Sequence, residues 1–405
     1  MKENKINTQT VGNKYKAFRA RKLTFLFLVI VLLLTACAAP ATPPPFGPVE
    51  ELTFQSGQYK MVGDLRVPTG SGPFPVVLFV HGSGPADRTG NMFFPPVMER
   101  MLQAGFATFA WDKPGTGEST PELDESDPNL RHQRAQILLD AIELMKSRPD
   151  IDPTRIGVWG GSQAGYVIPI ALTQTEDITF VICVSCAGES GNDEMAYQVM
   201  ALGLCQDMPK EKSAARDRLL KELDQNRSYQ TYAGYKAYRK TLADLAALVP
   251  VSIKYWPVTS EKVWQANPIE DEGVWNPVPV FSQVRIPVLA IFGDQDRQLD
   301  PLQGAFAYRK ALSKAGNPKN QVEVLPNSNH LILTSKTGCP DELQKTFIRV
   351  FLWFAITHGA TSPEQINAEI AKDPYKPGLL PSIPFAPGYL DLMENWLKGL
   401  YADEQ

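Results

Sequence analysis

The chain has 405 residues, enough for one large domain or two. A hydrophobic content of 43% and a charged content of 21% are ordinary for a globular protein. A net charge of −4 argues against nucleic acid as a partner.

Lys14, Lys16, Arg19, Arg21 and Lys22 precede an uncharged apolar run, residues 23–36. About 14 apolar residues are too few to cross a bilayer as a helix, which takes about 20. A basic flank, a short apolar core and small residues at its end describe a secretory signal. It closes on Leu34-Thr35-Ala36-Cys37, which resembles the bacterial lipobox. That resemblance implies lipidation of Cys37 as the mature N-terminus, and so a membrane partner and an extracytoplasmic, lipid-anchored place in the cell envelope. A plain secretory signal or an uncleaved anchor is the alternative. Residues 38–45 form a proline-rich spacer, which would extend at about 3.1 Å per residue. The expected organisation is a signal over 1–36, a lipidated cysteine and linker over 37–50, a core over 51–190 and 286–405, and a helical cap over 191–285.

Residues 51–56 and 59–67 alternate apolar and polar side chains, as in an antiparallel strand pair. Residues 75–80 are continuously apolar, as in a strand buried on both faces, and end in His81-Gly82-Ser83-Gly84-Pro85. A covering helix is expected over 92–104, a strand over 106–111, and then a glycine-rich loop, Asp112-Lys113-Pro114-Gly115-Thr116-Gly117. Residues 128–147 carry Ile137, Leu138, Ala141, Ile142 and Met145 at helical spacing. Further strands are expected over 156–159, 179–185, 287–292 and 321–325, with helices over 301–315, 342–356 and 389–400 and a proline-rich loop between the last two. Strand and helix in alternation imply a mostly parallel sheet covered on both faces. Roughly a hundred residues separate the strands at 179–185 and 287–292, too many for an ordinary connection, hence the cap. Tyr229, Tyr232, Tyr235 and Tyr238 read as that cap's own core.

Gly160-Gly161-Ser162-Gln163-Ala164-Gly165 follows the apolar residues 156–159 and opens a helix-compatible stretch. A serine at such a tight strand–helix turn is forced into a strained backbone with its hydroxyl clear of the sheet, the physical content of the G-x-S-x-G elbow. Ala164 stands where the pattern has its last glycine, a small steric change. The post-strand loops then bring Ser83, Ser162, Asp296 and His330 to one edge, because in an open parallel sheet the strands' C-terminal ends lie together. Ser, Asp, His is the chain order of an α/β-hydrolase triad. Ser162 needs a base beside it, and His330 would take its proton and return it to the leaving group. Asp296 would hold the imidazole's tautomer, with Asp294 and Asp300 as competitors. The backbone N–H groups of Gln163 and Ser83 would hold the oxyanion. Of the other histidines, His81 would shape that loop, while His132 and His358 suit surface or core roles.

These motifs resemble the α/β-hydrolase superfamily, especially its bacterial acyl-hydrolase, dienelactone-hydrolase-like and serine-peptidase-like members. The resemblance is carried by residues 81–88, 112–117, Gly293-Asp294-Gln295-Asp296, residues 326–331 and residues 385–389. It implies an eight-stranded, mostly parallel sheet with a helical cap inserted after the sixth strand, favours Asp296 as the acid, and covers about 51–190 and 286–405.

Cys183 and Cys186 sit inside an apolar strand and read as packing residues; Cys205 and Cys339 are free to pair or not. No spacing suggests a metal site, and no cofactor is expected. The expected function is a cofactor-independent serine hydrolase cleaving small-molecule carboxylic esters through an acyl-enzyme. A peptidase with the same triad, trimming short peptides, is the alternative; it would need cap acids such as Glu270, Asp271 and Glu272, which read better as a solvated turn. A catalytically inert binding lipoprotein is a third reading, opposed by the intact triad.

Overall fold

The computed structural model describes residues 46–124, 127, 129–205, 210–225, 231–248, 275–373, 375 and 383–401. Eight strands form one open sheet: β1 (Glu50–Ser56), β2 (Tyr59–Arg66), β3 (Phe74–Val80), β4 (Ala107–Trp111), β5 (Ile151–Gly161), β6 (Ile178–Val184), β7 (Val288–Gly293) and β8 (Gln321–Leu325). Their spatial order is β1-β2-β4-β3-β5-β6-β7-β8. The β1–β2 and β2–β4 pairs are antiparallel, and all others are parallel. The mostly parallel sheet expected from alternation is therefore present. The chain joins its antiparallel edge before β1: Phe46 bridges to Pro68, and Gly47 N–H donates to Val67 at 2.9 Å.

Strand β3 shows why the apolar runs are continuous. Val76, Leu78 and Val80 face one core cluster, and Val77 and Phe79 face another. The first cluster is closed by α2 (Leu130–Lys146), α3 (Ala164–Leu172), α7 (Val278–Phe281) and α8 (Pro301–Ala315). The second is closed by α1 (Phe94–Gln103) and α11 (Tyr389–Leu400). A strand with helices on both sides has no polar face to alternate.

Between β6 and β7 lie α4 (Gly191–Gly203), α5 (Lys210–Gln225) and α6 (Tyr232–Ala246), ahead of α7. Met195, Val199, Leu223, Tyr238, Leu242 and Leu245 form their own small core. Tyr235 and Tyr238 are buried, as the tyrosine spacing suggests; Tyr229 and residues 270–272 lie outside the described residues.

The tail departs from expectation. After α9 (Pro340–His358), the segment read as a proline-rich loop carries a helix, α10 (Pro363–Lys372). Its signal was present in Ser362-Pro363-Glu364-Gln365: the Ser362 side chain accepts from Gln365 N–H, Gln365 Oε1 accepts from Thr361 N–H, and proline occupies the first turn. That is a capping box displaced by one residue, with proline where its missing N–H costs nothing.

Candidate active site

Ser162 directly follows β5 at φ 57°, the left-handed region a serine seldom occupies. The strain is held from both sides. Ser162 N–H donates to Val184 at 3.1 Å, and Gly165 N–H donates to the Ser162 carbonyl at 2.9 Å. A Cβ on Gly160 would lie 2.7 Å from that of Ala164, so strand and helix touch there as expected. Gly165 has a separate reason: a Cβ would meet the backbone nitrogen of Ala187 at 2.5 Å. Ala164 is accommodated because the glycine is needed one position later, against the chain leaving β6.

His330 follows β8, and its Nδ1 lies 2.7 Å from Asp296 Oδ2, with both side chains buried. The other oxygen, Oδ1, accepts from the N–H groups of Gln298 at 2.7 Å and Leu299 at 3.0 Å. The Asp296 carbonyl accepts from Tyr197 Oη at 2.7 Å, which ties the acid turn to α4. The two competing acids do local work. Asp300 caps α8 by accepting from Leu302 and Gln303, and Asp294 accepts from Ser328 N–H. The His330 loop is closed by Asn329 Oδ1, which accepts from Leu331 and Leu333, and by Ala386 N–H, which donates to Ile332.

Opposite His330, the loop after β3 is pinned by buried cations. Lys113 Nζ donates to the Gly84 carbonyl at 2.5 Å and to that of Gly82 at 3.3 Å. Arg134 donates at once to the His81 carbonyl and to Gln163 Oε1, joining the two segments expected to supply the oxyanion hole. Among the described residues, neither Ser83 N–H nor Gln163 N–H donates to another protein group. The His81 ring Nε2 donates to the Asp87 carbonyl at 2.8 Å. Burial, with Lys113 and Arg134 close by, pushes its pKa down to about 3, so the ring is neutral. Behind the loop, Arg88 contacts Asp112, Asp64 and Glu51 at 2.8 Å each, and Asp112 also accepts from the N–H groups of Arg88 and Glu118. The charged members of residues 81–88 and 112–117 thus brace the loop.

Lys113, Arg134 and Tyr197 were not singled out from sequence. Arg134 had a signal: with Arg131, it interrupts the buried stripe of α2. Tyr197 had none.

Two cavities meet at Ser162. One, about 360 Å³, is mixed in character, with Arg131, Tyr166, Glu194, Met195, Gln198 and Arg297 in its wall. The other, about 310 Å³, is aromatic, with Phe93, Phe94, Trp159, Phe347, Phe385 and Tyr389. Both share Ser83, Ser162, Gln298, His330 and Leu331, and Gln163 lines the first. Among the described residues no hydrogen bond joins the Ser162 hydroxyl to His330. Glu194 is buried, and desolvation pushes its pKa up to about 8. Its carboxyl accepts from the N–H groups of Gly188, Glu189 and Asp300.

His132 and His358 are exposed. Cys183 and Cys186 are buried free thiols, and Cys205 is bonded to Cys339. No cluster of metal-ligating side chains occurs among the described residues. Cys37 lies outside them.

The order of strands, the strained serine and the paired Asp296 and His330 define one class of fold. The chain belongs to the alpha/beta hydrolase family, whose profile matches residues 77–343. Among curated relatives, it is 24% identical over 281 residues to the esterase EstD of Thermotoga maritima, covering 68% of this chain and 58% of EstD. Among solved structures, a Pyrococcus furiosus esterase aligns with a TM-score of 0.46 and 15% identity over 70% of this chain and 83% of its own. The acylaminoacyl peptidase of Pyrococcus horikoshii aligns with a TM-score of 0.44 and 17% identity over 80% of this chain and 42% of its own.

Proposed function

We propose that the protein is a serine hydrolase of carboxylic esters, tethered to the cell envelope through a lipid on Cys37. The observation that carries the hydrolase reading is the 2.7 Å contact of His330 Nδ1 with Asp296, in a cavity that also exposes Ser162. Ser162 Oγ attacks the ester carbonyl while its proton passes to His330 Nε2. The oxyanion is held by the N–H groups of Ser83 and Gln163, both without another protein acceptor among the described residues. His330 then protonates the departing alcohol, leaving the acyl group on Ser162. Water repeats the sequence and frees the acid. The Ser162–His330 contact closes on the bound substrate, as catalytic hydrogen bonds commonly do. The aromatic cavity suits the acyl chain, and the mixed one the alcohol. A peptidase reading needs a free acid for the substrate's amino terminus. Glu194, the acid in the described cavity wall, is already engaged by three backbone N–H groups.

A fluorophosphonate probe should label Ser162 in the native protein, and Ser162→Ala should lose labelling and up to about a million-fold in kcat. Aryl esters of graded acyl length, compared with aminoacyl anilides, separate esterase from peptidase. Faster cleavage of the anilides would overturn the ester assignment, and a Cys37 found without lipid by mass spectrometry of the membrane-bound chain would overturn the lipid tether.

A further inference from the structure

Helix α9 is fixed at its N-terminus, packed along one side and bare along the other. Its N-cap residue, Cys339, is bonded to Cys205 just past α4, and Glu342 accepts from the N–H groups of Lys336 and Thr337. One side packs down: Phe354 is buried with Ala360 and Ile366, against Met92, Val350 and Phe351. The opposite side carries Ile348 at 51% exposure, Leu352 at 51% and Ile356 at 82%, at four-residue spacing, with Trp353 beside them. Large apolar side chains grouped in this way on a surface mark a contact site.

Three observations say what covers them. The packed side of the same helix borders both cavities: Phe347 lines the aromatic one and meets Phe93 edge-on, while Pro340 and Leu343 line the mixed one. Its exposed side also carries Lys345, paired with Asp341 at 3.2 Å, and Arg349, which makes no ion pair among the described residues. Apolar side chains with interspersed cations fit an anionic headgroup layer. Finally, Phe46 is pinned to the sheet edge, and the nine residues from Cys37 to it reach about 30 Å at most. A lipid on Cys37 would therefore hold the domain against the bilayer. No helix among the described residues is long and apolar enough to cross a membrane, so α9 would lie along the surface.

We propose that the C-terminal half of α9 lies in the headgroup region of an anionic bilayer and turns both cavity mouths toward amphiphilic esters held there. The substrate half of this proposal rests on the ester-hydrolase reading; the docking half draws on the lipid at Cys37 and stands without ester hydrolysis.

The test uses the full chain reconstituted in phosphatidylethanolamine–phosphatidylglycerol vesicles. Ile356→Cys carries a nitrobenzoxadiazole fluorophore, with the parent chain treated identically as the blank. Docking predicts a blue-shifted emission on vesicles and quenching by brominated acyl chains, both lost when Leu352→Glu is added. A solvent-like emission on vesicles overturns the proposal. So does a blue shift on vesicles that brominated acyl chains fail to quench, which indicates another segment of this chain if independent of protein concentration and a second copy if it rises with concentration. For the substrate half, Leu352→Glu with Ile356→Glu should slow hydrolysis of a long-chain umbelliferyl ester in vesicles at least tenfold. A soluble short-chain ester should be cleaved within twofold of the parent rate. Equal loss on both substrates, or on neither, overturns that half. A parent chain inert toward the soluble ester defeats the hydrolase reading and leaves the fluorescence result standing.

Discussion

On one side of Ser162, the Ser83 loop is fixed by buried cations, Lys113 and Arg134, that reach its carbonyl oxygens from two other elements. On the other side, the His330 loop is fixed by short-range hydrogen bonds from Asn329, and by Asp296, whose own position depends on two backbone N–H groups and Tyr197. The difference follows from the work each side would do. An oxyanion hole must not reorganise as charge appears, and buried donors anchored on other elements provide that rigidity. A base must cycle between neutral and protonated forms, so a nearby fixed cation would oppose it, and a carboxylate with its lone pairs already occupied supports it.

The largest effect should come from the base side. Asp296→Asn keeps the shape but holds the wrong tautomer of His330, and kcat should fall about ten-thousand-fold. A loss below tenfold would mean that Asp296 does not orient a base at His330. Arg134→Met comes next. It leaves the His81 carbonyl and Gln163 Oε1 without their shared donor, and the two N–H groups should drift from their common target. The expected loss is about 100- to 1,000-fold in kcat, the cost of an oxyanion donor, with KM changed little. Because Arg134 acts through its neighbours, Arg134→Lys should recover part of that loss. A KM effect of similar size would make Arg134 a substrate contact and erase the contrast between the sides.

The contrast also explains what could be read in advance. Ser162, Asp296 and His330 stand in short loops behind apolar strands, and such loops advertise themselves through glycine, asparagine and the break in hydrophobicity. The braces stand within longer elements. Arg134 sits in the middle of α2, where only its place on a buried stripe betrays it. Tyr197 reaches Asp296 across 99 positions of chain, and the contact exists only because α4 folds back over the rim. The bond of Cys205 to Cys339 has the same character, closing 134 positions between two helices whose docking no local pattern encodes. Apolar strands were legible because burial on both faces needs only a run of branched side chains. Helix α10 was legible in its Ser362 cap and was hidden by the surrounding prolines.

The disulfide tests how far the base side leans on α4. Cys339→Ser should cost about 2–4 kcal/mol of stability, the usual yield of a cross-link, because it frees a long loop in the unfolded chain. Activity at 25 °C should fall less than tenfold, since Asp296 keeps both backbone donors. Denaturant midpoints with and without reductant check the first number, and ester turnover checks the second. A collapse of turnover in a variant that remains folded would make the α4–α9 link part of the base side's support.

The smallest effect is one of slope. Glu194 carries an unfolded-state pKa near 4.5 and a folded value of about 8, because burial outweighs its backbone donors. Below pH 4.5 both states hold the proton and nothing is lost. Between 4.5 and 8 the unfolded chain ionises first, so stability falls as pH rises, by about 1.4 kcal/mol per unit at most. His81 acts in the opposite direction: unfolded it protonates near pH 6.5, folded only near 3, so stability falls as pH drops across that window. Both groups belong to the rigid part of the site, and neither is asked to titrate in the proposed reaction. Glu194→Gln keeps an acceptor for Gly188 and Glu189 and removes the charge. Urea midpoints from pH 4 to 9 should therefore converge with the parent at low pH and exceed it increasingly above pH 5. Parallel curves would show that Glu194 is ionised in the fold, and the peptidase alternative would then have a negative charge in the cavity wall to work with.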